Sequence, residues 1–136
     1  MIVDGVHVAP ATLRLALRGY GSPILVTDAM PPVGGTQSSF LLGGETIFAK
    51  GDRCVRGDGR LAGAYLTMAG AVRNCLNLLN VPLTDALRFA SAHPADMLGL
   101  GNVLGKLAPG FRADMVAFDA STIEVFRTWI AGVDQA

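Results

Sequence analysis

Charge is scarce in this sequence: Asp, Glu, Lys and Arg make up 16% of its 136 residues, where a typical domain carries about 25%. With 51% of the residues hydrophobic, little polar material remains to cover a surface. That imbalance is expected of a piece of a larger protein, or of a subunit with an extensive interface, whose apolar faces are meant for neighbours. Eleven basic and eleven acidic residues cancel. The basic ones are scattered instead of forming a stripe, so no nucleic-acid partner is expected. Cysteine is nearly absent as well. Cys54 and Cys75 stand apart from each other and from both histidines, which fits unpaired thiols in a reducing compartment and leaves a disulfide between them open. No run reaches the roughly 18 apolar residues of a membrane span. The start, Met1-Ile2-Val3-Asp4-Gly5, lacks the basic region and long apolar stretch of a leader. A cytoplasmic protein without a membrane partner is the resulting expectation.

What is present has the pattern of an α/β fold of one-domain length. Ile2-Val3 runs through Asp4-Gly5-Val6-His7-Val8 to Pro10, and Ala11 to Arg18 carries helix formers before Gly19 and Gly21. Pro23-Ile24-Leu25-Val26-Thr27-Asp28 is a continuous apolar run without alternation, the signature of a parallel strand covered on both faces. Two strands around one helix make a β-α-β crossover, whose strand ends carry His7 and Asp28. From residue 29 to 63 the pairs Pro31-Pro32, Gly34-Gly35 and Gly43-Gly44 punctuate short segments, predicting a hairpin insertion. Helical spacing returns with Leu66, Ala69, Val72, Leu76 and Leu79 on one side and Arg73, Asn74 and Asn77 on the other. A further helix is expected from a Thr84 cap to just before Pro94, then a short turn ending at Gly99. Ala113 to Phe118 and Ile123 to Ile130 carry the β-branched and aromatic residues of final strands.

Three places could carry chemistry, and two others are set aside. Asp28 follows an apolar strand and precedes a Pro/Gly-rich loop, where a partly desolvated carboxylate can take and return a proton, or simply satisfy backbone donors in a turn. His7 follows a glycine that permits close approach by a ligand, although a lone histidine is often just hydrogen-bonded structure. Leu61-Ala62-Gly63 sits in a small-residue loop before a helix, where backbone N–H groups could meet substrate oxygens; a plain helix entry is the alternative. Gly99-Leu100-Gly101 with Gly105 departs from the dinucleotide-loop spacing and is rejected as a nucleotide site. His93, beside Pro94, has no second histidine at ligand spacing and is read as structural.

Asp4-Gly5-Val6-His7-Val8, Leu25-Val26-Thr27-Asp28-Ala29-Met30, Leu61-Ala62-Gly63 and Ala71-Val72-Arg73-Asn74 occur in an order that resembles the N-acetylglucosamine-6-phosphate deacetylases. The tail from Leu104 to Val116, with Pro109-Gly110-Phe111-Arg112-Ala113-Asp114, is similar to one shared more widely among amidohydrolases. The resemblance spans nearly the whole chain. It implies the carboxy-terminal portion of a metal-dependent (β/α)8 TIM barrel plus part of a small β-sandwich. Residues 1–38 would be the last two barrel strands and their helix, 39–63 the hairpin insertion, 64–100 the terminal barrel helices and 101–136 the final sandwich strands. It further implies that Asp28 is the catalytic acid/base, and that His7, Leu61, Ala62 and Gly63 contact an amino-sugar phosphate. A divalent metal, zinc or iron, is implied too, with ligands mostly outside this chain. The isolated chain is therefore expected to be inactive, and homo-oligomerisation or association through apolar faces is expected. Two alternatives stand beside this: another amidohydrolase acting on a cyclic amide or N-acyl compound, and a non-catalytic interaction module.

Overall fold

The computed structural model describes residues 1–135. Its elements run α1 (Pro10–Ala16), β1 (Ser39–Leu42), β2 (Glu45–Lys50), β3 (Arg53–Arg56), β4 (Leu61–Ala64), α2 (Met68–Leu79), α3 (Leu83–Ala90), α4 (Ala92–Met97), β5 (Met115–Phe118), β6 (Val125–Ile130) and β7 (Val133–Asp134). The strands form two antiparallel sheets, β1-β2-β3-β4 and β5-β6-β7. The hairpin insertion and the final strands thus fall where the turn residues and β-branched runs put them.

The two leading apolar segments differ from expectation. Neither Ile2–Val3 nor the run 23–28 is a ladder strand; both are extended chain lying side by side. The Met1 ammonium donates to the Ile24 carbonyl and the Val26 N–H donates to the Met1 carbonyl, two hydrogen bonds that do not extend into a ladder. Among the described residues neither run belongs to a sheet, and a strand, β4, meets the second run only at its end. The helices satisfy these backbones instead. Asn74 Nδ2 donates to the Val3 carbonyl at 2.7 Å, the Leu25 N–H donates to the Phe89 carbonyl at 3.0 Å, and His93 Nδ1 donates to the Pro23 carbonyl at 2.7 Å. Asn74, placed on the outer side by periodicity, is therefore turned inward by a specific bond, while Arg73 and Asn77 are exposed.

Val3 and Leu25 are the centre of the core, packed with Leu13 of α1, Val72, Cys75 and Leu79 of α2, Ala86 and Phe89 of α3, and Ile123 from the tail. α2 is capped at its start by Thr67, whose Oγ1 accepts from the Gly70 N–H at 3.0 Å. At its end Asn80 takes a left-handed φ of 56° and the Val81 N–H closes back onto the Cys75 carbonyl. α3 begins at Leu83 after Pro82, so Thr84 lies inside the helix and does not cap it. α3 ends at Ala90, before Pro94 as expected, but a further helix, α4, stands where a short turn was expected. Pro94 lies in the first turn of α4, where its missing N–H has no intrahelical acceptor to lose. The short strand β7, pairing Val133 with Ile130 and Asp134 with Trp129, has no counterpart in the expectations.

Cys54 and Cys75 are free thiols, each with no exposed surface. Burial pushes the Cys75 thiol up to about 11, and burial followed by the nearby Asp28 charge raises that of Cys54. The thiolate is the reactive species. Both cysteines are therefore expected to resist an aromatic disulfide reagent at neutral pH in the native chain and to react fully in denaturant. Rapid modification of a native thiol would contradict this burial.

Candidate functional site

Gly5, at φ +74°, turns the chain so that the Asp4 carboxylate folds back on its own backbone. Asp4 Oδ1 accepts the N–H groups of Val6 at 2.9 Å and His7 at 3.0 Å, and Oδ2 lies 2.6 Å from His7 Nδ1. An added Cβ at Gly5 would meet Leu78 Cδ1 at 3.5 Å. The glycine thus serves the turn, whereas the sequence pointed to ligand approach. Burial pushes the Asp4 carboxyl up, but the His7 ring and the two backbone N–H groups outweigh it and hold it below its ordinary value.

The other ring nitrogen, His7 Nε2, faces Asp28 Oδ2 at 3.7 Å. The His7 and Asp28 side chains are 18% and 39% exposed, so both can be reached from solvent. Asp28 stands at φ 52°, a left-handed conformation that Asp tolerates better than most residues. Its peptide is gripped from the side by β4. The Ala64 N–H donates to the Asp28 carbonyl at 2.9 Å, and the Met30 N–H donates to the Ala64 carbonyl at 3.2 Å. This parallel bridge between Ala29 and Ala64 joins the acidic loop to the first sheet.

Leu61, Ala62 and Gly63 accordingly lie on strand β4 and not in a loop. Leucine, alanine and glycine are not strong strand formers; pairing with β3 and with the Asp28 loop imposes the conformation. Gly63 is buried against Met30, whose Cε would lie 2.3 Å from a Cβ added there. The structure thus brings His7 and Asp28 together, and places Leu61 to Gly63 on the strand that leads to the Asp28 brace. His93 stands apart, its ring against Phe89 at 5.4 Å between centroids. Asp4 is the participant that the sequence did not single out. The signal available was an aspartate three residues before a histidine with a glycine between them.

An apolar groove of about 440 Å3 lies elsewhere, lined by residues such as Val72 and Leu87 of the helices and Met115, Phe118 and Val125 of the second sheet. Its titratable lining groups are Lys106 and Asp114, the latter paired with Arg112. The reactive groups, not the concavity, locate the site.

Comparison with known proteins gives this geometry a family. The amidohydrolase family model matches residues 42–134. The chain belongs to the amidohydrolase family. Within it, the similarity is to amino-sugar-6-phosphate deacetylases. An Escherichia coli K12 protein provisionally named N-acetylgalactosamine-6-phosphate deacetylase is 41% identical over 133 residues, covering 97% of this chain and 79% of that protein. The crystal structure of N-acetylglucosamine-6-phosphate deacetylase from Pasteurella multocida superposes with a TM-score of 0.94 at 32% identity, over 100% of this chain and 36% of that one. A mutant of the Mycobacterium smegmatis deacetylase in complex with N-acetyl-D-glucosamine-6-phosphate gives 0.86 at 35% identity, over 98% of this chain and 36% of that one. The chain therefore spans just over a third of the solved enzymes it matches.

Amidohydrolases typically use a divalent metal. Among the described residues no group of three or more His, Cys, Asp or Glu side chains could hold one. Asp4 is already committed to His7 and two backbone donors, which leaves His7 Nε2 and Asp28 as the open groups of the site. That falls short of the three protein ligands usual for a catalytic zinc. The described residues do not fit a metal centre.

Proposed function

We propose that the chain supplies the acid/base carboxylate and part of the sugar-phosphate pocket of an N-acetylglucosamine-6-phosphate deacetylase. The observation that carries this reading is Asp28: a solvent-reachable carboxylate, braced by β4 through its own carbonyl, with the fixed ring of His7 beside it. As general base Asp28 takes a proton from water as the water oxygen bonds to the acetyl carbonyl carbon. As general acid it returns that proton to the amine nitrogen while the C–N bond breaks, giving acetate and glucosamine 6-phosphate. His7 contacts the substrate through its exposed edge, and Leu61, Ala62 and Gly63 line the pocket through backbone groups. Zinc or iron belongs to this reading, with ligands on elements that the chain does not contain, so no step is assigned to it here. The isolated chain is inactive on this account. The free thiols support a cytoplasmic setting, and the exposed Phe126, Ile130 and Val133 of the second sheet support association with another subunit.

The E. coli relative favours a second reading in which the sugar is the C4 epimer, the galactosamine derivative. Replacing the matching part of the P. multocida enzyme with this chain permits a direct comparison. Acetate release from the two N-acetylhexosamine 6-phosphates should favour the gluco substrate in kcat/KM. A preference for the galacto epimer would hand the assignment to the second reading, and preference for an unrelated cyclic amide would overturn both.

A further inference from the structure

We propose that Asp4 is a positioning residue for His7: its buried carboxylate holds the Nδ1 proton of the ring, so that His7 meets substrate and Asp28 through Nε2 alone. The proposal rests on the functional reading only for the identity of the substrate. The Asp4 side chain is 2% exposed and makes two separable kinds of contact. Oδ1 serves the turn, accepting the Val6 and His7 N–H groups at 2.9 and 3.0 Å. Oδ2 serves the ring, 2.6 Å from His7 Nδ1. An ionised carboxylate only accepts hydrogen bonds, so Nδ1 must carry a proton whatever the state of the rest of the ring. Rotation of the imidazole is thereby blocked. Nε2 is left 3.7 Å from Asp28 Oδ2, beyond a direct hydrogen bond and so still free to engage a substrate atom. Orientation of a working histidine by a carboxylate on its other nitrogen is a recurring device, and losing such a partner typically costs about 10- to 100-fold in metal sites built this way.

Asp4→Asn separates the two contacts. The amide oxygen can keep the turn, while its NH2 replaces Oδ2 and can only donate, so His7 Nδ1 must become an acceptor and the proton must move to Nε2. Long-range proton–nitrogen correlation spectra of the labelled 136-residue chain, recorded at about pH 8.5, report the tautomer directly. The chain has only two histidines, and His93 donates its own Nδ1 proton to the Pro23 carbonyl, which makes it an internal control. In the unaltered chain both rings should show a protonated Nδ1. In Asp4→Asn the His7 pattern should reverse while that of His93 stays. An unaltered chain whose His7 carries its proton on Nε2, or an Asp4→Asn chain whose His7 pattern is unchanged, overturns the proposal. Should Asp4→Asn unfold, as a collapsed His93 pattern would reveal, Asp4→Glu keeps an acceptor-only group: retention of Nδ1–H supports the proposal and its loss counts against it. These spectra need no substrate. A tautomer switch without deacetylation by the grafted enzyme would leave Asp4 in place and remove the functional reading.

Discussion

Asp28→Asn is expected to lower deacetylation by about 10^2- to 10^4-fold when this chain replaces the matching part of the P. multocida enzyme, the range carried by a positioned general acid/base. Asparagine has nearly the same shape and no carboxyl group to take and return a proton. Structure should survive the change, because the loop is held through backbone atoms: the Asp28 carbonyl accepts from Ala64, and φ 52° is as accessible to Asn as to Asp. His7 Nε2, 3.7 Å from the side chain, is too distant for a direct hydrogen bond to be lost. Circular dichroism of the variant should therefore match its parent while kcat falls. A loss smaller than about tenfold would mean that another group moves the proton.

The largest effect on stability is expected at Gly63. This residue stands at φ +116°, and a Cβ there would lie 2.3 Å from Met30 Cε and 2.5 Å from Met30 Cγ. Gly63→Ala thus meets two costs, backbone strain of about 1–3 kcal/mol and displacement of a packed side chain of about 1–3 kcal/mol. Their sum, about 2–6 kcal/mol, is a large share of the 5–15 kcal/mol that holds a typical domain together. Urea unfolding of the isolated chain measures it. Adding Met30→Ala should recover the packing share and leave the strain, so the pair should be less destabilised than the two single changes added together. A Gly63→Ala chain within about 0.5 kcal/mol of the unaltered one would show that β4 can reach the Asp28 loop by another route.

The helices were legible because their periodicity is local. Val72 and Leu79 are buried and Arg73 and Asn77 exposed, as helical spacing requires. Asn74 escaped because its bond is to Val3, 71 residues away in sequence. The apolar runs at 2–3 and 23–28 carry the composition of buried parallel strands, and they are buried at Val3 and Leu25. Whether such runs become strands depends on partners, and here the two runs share only two hydrogen bonds, while the second meets β4 only at its Asp28 end. β4 was missed for the converse reason: Leu61-Ala62-Gly63-Ala64 has no strand composition, and its conformation comes from β3 on one side and the Asp28 loop on the other. In the candidate site, His7 and Asp28 were visible as polar residues ending apolar runs. Asp4 was not, because its importance lies in a turn geometry that places one oxygen on the backbone and the other on a ring.

Acetate release by the grafted enzyme tests the central claim most directly: this chain brings the acid/base and substrate groups of a deacetylase and lacks the metal ligands. The isolated chain and the graft are assayed side by side on N-acetylglucosamine 6-phosphate with added zinc, with bound metal measured in both. The account predicts turnover and bound metal in the graft and neither in the isolated chain. A folded, metal-loaded graft without turnover, or an isolated chain that hydrolyses the amide above blank, would contradict it.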